Sequence, residues 1–94
     1  MKIHLKIEGL PHLYKAFHKK KDLDFEFPGE TLRDLVNGLS KKYGPAVNKA
    51  ILDQKGEIDM ELRVVVNFSK YLSYGERMDV PLNEGDLLHL MTVG

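Results

Sequence analysis

Few side chains in this 94-residue chain have the types and spacing needed for chemistry. There is no cysteine, so disulfides, thiolate zinc sites and cysteine nucleophiles are excluded. His4 and His89 stand in alternating runs and are expected to be neighbours across adjacent strands; His12 and His18 fall in a basic stretch. A metal centre would need a third and fourth ligand at tetrahedral spacing, and no pattern supplies them; solvent-exposed histidines and no bound metal are expected. Glu57, Asp59 and Glu61 alternate along an expected strand edge. With no pocket implied around them, they read as a charged rim rather than an acid and base pair. Lys19-Lys20-Lys21 has the charge to hold phosphate or an acidic partner, although a solvated loop is the simpler reading. No glycine-rich phosphate loop and no serine, histidine and acid set at a recognisable spacing is present.

The composition limits partners as well. Lysine and arginine total 14 and aspartate and glutamate total 14, so there is no net charge to draw in nucleic acid or an anionic membrane. Neither partner is expected, and docking must be local. No apolar run approaches the roughly 20 residues that span a bilayer. The N-terminus opens directly on an alternating pattern without a signal-peptide stretch, so a cytoplasmic protein is expected. A chain of this length buries only about 60 to 65% of its unfolded surface, which allows one core and one domain over 1–94.

The elements that would position these groups follow from the hydrophobic pattern. In 2–8, Ile3, Leu5 and Ile7 alternate with Lys2, His4, Lys6 and Glu8, which predicts a half-buried strand. A second strand is expected at 23–27, before Pro28-Gly29 turns the chain. The stretch 9–22 between them reads mainly as a long basic loop, with at most one helical turn at 13–17. Thr31 suits the N-cap of a helix, accepting the Asp34 amide, and Leu32, Leu35, Val36, Leu39 and Tyr43 form an apolar stripe. Lys41 and Lys42 suit the helix C-terminus, and Gly44-Pro45 stops it. A short helix at 46–52, a turn at 53–56, a β-branched strand at 62–67 and short edge pieces at 71–72 and 78–80 follow. The turn Asn83-Glu84-Gly85-Asp86 then introduces a last strand at 87–91, with Gly85 at positive φ and Asp86 bonded to nearby amides. One main helix packed across a mixed sheet of four or five strands buries both the stripe and the inward strand residues, an α+β arrangement.

In this order the elements resemble the ubiquitin-like sulfur-carrier family. It includes the molybdopterin synthase small subunit (MoaD) and the thiamin-pathway carrier (ThiS), with ubiquitin more distant. The resemblance rests on Phe27-Pro28-Gly29-Glu30-Thr31-Leu32-Arg33-Asp34-Leu35, on Leu62-Arg63-Val64-Val65-Val66-Asn67, and on Pro81-Leu82-Asn83-Glu84-Gly85-Asp86. It implies a β-grasp fold and a carrier or substrate protein rather than an enzyme. In the family the C-terminal carboxylate is adenylated by an E1-like enzyme using ATP and converted to a thiocarboxylate. That group gives its sulfur to a synthase of molybdopterin, tungstopterin or thiamin type. By the same resemblance Gly94 is the attachment point, and no cofactor is bound by the carrier itself.

The residues meet some of these needs. A glycine end lets the carboxyl carbon be approached closely, and the tail 92–94 would extend roughly 10 Å beyond the last strand, carrying Thr92 and Val93 into a partner site. The family normally ends in two glycines, whereas here the β-branched Val93 precedes Gly94. A partner with a wider channel, a carrier that has lost its chemistry, and a natural last residue beyond Gly94 all fit. If Leu88 and Leu90 face the helix, then Leu87, His89 and Met91 point outward and join His4 and Val65 in an exposed strip for partner docking. The opposite register would make Leu87 and Met91 core residues. Two other roles remain open: a non-covalent ubiquitin-like interaction module or small subunit, and a modifier joined to lysines through Gly94.

Overall fold

The computed structural model describes residues 1–72 and 77–92. The alternation at the N-terminus forms β1 (Lys2–Glu8), with Ile3, Leu5 and Ile7 buried. The segment expected as a loop instead contains a helix, α1 (Pro11–Ala16). Pro11 sits in its first turn, where a missing N–H costs nothing. Leu13 and Phe17, four residues apart, both point into the core with no exposed surface. Six residues are too few to display helical periodicity, and the lysine run after them obscures the apolar pair.

β2 (Asp22–Glu26) starts one residue earlier than expected, and Phe27 lies outside it. Backbone pairing still continues past the strand end: the Phe27 N–H donates to the Met1 carbonyl at 2.9 Å, and the N-terminal amine donates to the Phe27 carbonyl at 2.8 Å.

α2 (Leu32–Tyr43) is the expected main helix. The Asp34 N–H donates to Thr31 Oγ1 at 3.3 Å, and the Asp34 carboxylate accepts from the Glu30 and Thr31 amides at 2.9 and 3.1 Å, which completes a capping box. Leu32, Leu35, Val36 and Leu39 are buried, worth about 2 kcal/mol each against exposure, while Tyr43 is half-buried. α3 (Ala46–Ile51) follows.

The 57–61 stretch is not a strand. Asp53 Oδ1 accepts from the Lys55 and Glu57 amides, and Asp59 Oδ1 accepts from the Glu61 amide, so these short acids draw the backbone into turns. A single bridge joins Leu52 to Ile58, and Ile58 is pulled into the core.

β3 (Leu62–Val66) and β4 (Lys70–Tyr71) form a hairpin; Leu72 lies outside β4. The expected edge piece at 78–80 is a 3-10 turn, Arg77–Asp79, with Met78 buried. After it, Val80 accepts the Leu32 N–H at 3.1 Å and Leu82 donates to Glu30 at 2.7 Å. This segment therefore satisfies the start of α2 instead of extending the sheet.

β5 (Leu87–Thr92) completes a five-stranded sheet of order β2-β1-β5-β3-β4. β1 and β5 are parallel, and the other pairs are antiparallel. The helices cover one face, where Leu88 and Leu90 are fully buried with the α2 stripe. No helix among the described residues is long and apolar enough to cross a membrane.

The outward sheet face and the end of the central strand

Because Leu88 and Leu90 turn inward, Leu87, His89 and Met91 lie on the opposite face, each half-buried. The register sets their neighbours. Leu87 lies opposite His4, His89 lies between Lys6 and Val65, and Met91 lies between Glu8 and Arg63. His4 and His89 are thus offset along the parallel pair and do not face each other. Among the described residues no group of three histidines or acids is placed to hold a metal ion.

The face divides into two halves. On the β2 side it is charged: His4 Nδ1 lies 2.6 Å from Asp24 Oδ1, His4 Nε2 lies 3.4 Å from Asp22 Oδ1, and Lys6 Nζ lies 3.9 Å from the same Asp22 oxygen. The Asp24 hydrogen bond, aided by Asp22, raises the His4 imidazole above its ordinary value, and the same bond lowers the Asp24 carboxyl. His4 is therefore tied into an acidic edge rather than an apolar strip.

On the β3 and β4 side the face is apolar. Val65, expected to be exposed, is only 3% accessible. It stands outside the main core cluster, flanked across the strands by His89 and Tyr71. Larger neighbours enclose a small side chain on a pleated surface, which strand periodicity does not reveal. The Arg63 guanidinium lies 5.9 Å from the Tyr71 ring, beside this patch.

Among the described residues, the large exposed apolar groups are ones that sequence reasoning did not single out: Phe68 at 70%, Met60 at 67% and Tyr71 at 63%. Phe68 is at the tip of the β3–β4 hairpin with φ +66, directly after Asn67 at φ +52. A bulky residue rarely adopts this conformation, which costs roughly 1 to 2 kcal/mol. A phenylalanine beside an asparagine in a turn was the available signal. Met60 precedes Leu62, the partner of Thr92, and so lies toward the sheet end where β5 finishes.

Thr92 was expected to start the tail, but it is the last residue of β5 and pairs with Leu62. The backbone ladder with β3 carries the strand one residue beyond Met91. On the other side Gly9, at φ +69, lies so close that a Cβ there would be 2.9 Å from Thr92 Oγ1. The end of the central strand is thus paired on one side and closely approached on the other. Beside it a recess of about 230 Å³ is lined by Ile7, Gly9, Leu10, Pro11, Tyr14 and Lys21. Val93 and Gly94 lie outside the described residues.

The whole arrangement matches solved structures at low identity. CysO of Mycobacterium tuberculosis superposes with a TM-score of 0.79 at 15% identity, over 98% of this chain and 99% of that one. The crystal structure of the Amycolatopsis orientalis BexX/CysO complex gives 0.78 at 13%, over 98% and 96%. SAMP1 of Haloferax volcanii gives 0.74 at 17%, over 100% and 97%. The chain has the ubiquitin-like β-grasp fold. No family model and no curated protein sequence matches it. The β-grasp sheet brings together Leu87, His89, Met91 and Val65, draws His4 toward the acids of β2, and puts Thr92 at the end of the central strand.

Proposed function

We propose that this β-grasp protein is a sulfur carrier whose reactive group is the Gly94 carboxylate. An E1-like enzyme joins the carboxylate to AMP from ATP and releases pyrophosphate. Hydrosulfide then displaces AMP to leave a thiocarboxylate, which a sulfur-accepting synthase consumes. The catalytic groups belong to the partners, and this chain supplies the handle and the substrate end. The observation that carries the reading is the placement of β5. It is a central strand, paired with β1 up to Met91 and with β3 up to Thr92, and its outward residues form one face with Val65 and Tyr71. A partner gripping that face would hold Thr92 in a fixed position, so Val93 and Gly94 need only about 7 Å of extended chain to enter its active site.

The test is to incubate the purified protein with ATP, a sulfide source and its cognate activating enzyme, and to measure intact mass. Replacement of one oxygen by sulfur at the C-terminus is expected. If neither an adenylate nor a thiocarboxylate forms, the carrier reading fails. A second reading, a non-covalent docking module, is favoured by the exposed Phe68 and Tyr71. Deleting Gly94 separates the two: a module keeps its partner affinity and its function, whereas a carrier keeps affinity and loses all transfer.

A further inference from the structure

The balanced net charge conceals a strong segregation. Half of the 14 basic side chains, and none of the 14 acidic ones, fall in 9–21 and 35–52. The fold brings these two acid-free segments together. α1 and α2 both pack against α3. Phe17 meets Tyr43 edge-on at 4.9 Å, and the His18 ring is 6.0 Å from that of Tyr43. The loop carrying Lys19 and Lys20 is thereby joined to the last turn of α2, which carries Lys41 and Lys42. Lys42 Nζ is held 5.4 Å from the Tyr43 ring and 5.7 Å from that of Phe25. Lys15, Lys19, Lys20, Lys41 and Lys42 are all exposed. Among the described residues, the ion pairs use His4, Lys6 and Arg33, and none of these five lysines.

We infer that this helix-side cap is a second binding surface, separate from the outward sheet face, that contacts the phosphate backbone of a double-stranded nucleic acid. Two adjoining segments that carry seven lysines and no acid fit a line of phosphates. A protein surface of matching charge would instead be expected to interleave both signs to fix register. The cap is built from lysine and has no arginine, so it supplies point charges for phosphates and no bidentate reader of bases. Among the described residues the large exposed apolar side chains, Met60, Phe68 and Tyr71, all lie outside the cap. Within it Phe17 is buried and Tyr14 and Tyr43 are half-buried, so that beyond the imidazoles of His12 and His18 little aromatic surface is open to unpaired bases, which favours a duplex over a single strand. Contact here is independent of sequence and leaves the sheet face free.

Fluorescence anisotropy with a labelled duplex of about 20 base pairs tests this, as RNA and as DNA. Binding is expected at about 50 mM salt, weakening about 100-fold by about 200 mM, as about four phosphate contacts require. The triple variant K15E/K20E/K41E should lose binding at least tenfold. K2E/K55E/K70E, with the same change in net charge outside the cap, should lose much less. Circular dichroism confirms that both variants fold. Equal loss in the two variants, no duplex binding at low salt, or tighter binding to the single strand would each overturn the inference. Preference for an oligoglutamate peptide over the duplex would overturn it too, and would reassign the cap to an acidic protein partner.

Discussion

Asn67 clasps both backbone polar groups of Leu87. Its N–H donates to the Leu87 carbonyl at 2.8 Å, and its side-chain oxygen accepts the Leu87 N–H at 2.9 Å. Its side-chain amide also donates to Asp86 at 3.0 Å. One residue at the end of β3 thus fixes the turn that launches β5. Asn67→Ala is expected to cost about 2 kcal/mol in urea unfolding, from lost hydrogen bonds and from an alanine forced to φ +52. Asn67→Gly should cost about 1 kcal/mol less, because glycine accepts that φ. Equal losses would assign the whole effect to the side chain.

Phe68 should be a residue held for binding at the expense of stability. With positive φ at two successive turn residues, Asn-Gly is the preferred pair for the hairpin tip. Phe68→Gly is expected to stabilise the fold by about 1 kcal/mol while weakening partner affinity at least tenfold by calorimetry. Lower stability in this variant would show that Phe68 contributes to the fold itself.

The His4–Asp24 pair should make stability depend on pH within a window. The His4 value is raised in the fold. Its contribution is therefore full below the unfolded value of about 6.5 and is lost as pH rises through the folded one. The Asp24 value is lowered, so its contribution is present above about 3.9 and is lost as pH falls through the folded value. The stability difference between the protein and its His4→Asn variant is expected to peak between about pH 4 and 6.5. A difference independent of pH would show that the pair is solvent-screened and contributes nothing.

The cap of α2 offers a test of local geometry. Thr31→Ala should cost about 1 kcal/mol in thermal or urea unfolding by removing the acceptor of the Asp34 amide. Gly29 lies at φ +140, and a Cβ there would overlap the Asp34 side chain. Gly29→Ala should therefore destabilise more than Thr31→Ala, by displacing the whole capping box. The reverse order would mean that the turn at Gly29 yields easily.

The sequence by itself determined the elements whose signals are local and repeated. The alternation in β1, the Thr31 cap with its apolar stripe, and the turn closed by Asp86 onto the Asn83 amide at 2.8 Å are each set by neighbours a few residues apart. The order of these elements was enough to point to the β-grasp arrangement. Only the tertiary structure decided what depends on pairing between distant segments. It settled that Leu88 and Leu90 face inward, that Val65 is enclosed by His89 and Tyr71, and that Thr92 belongs to β5 through Leu62. It also turned α1 from an apparent loop into a packed helix through Leu13 and Phe17, and gathered lysines from two distant segments on one side. Accessibility and electrostatic fields are properties of the assembled surface. Composition and periodicity, which read one segment at a time, do not contain them.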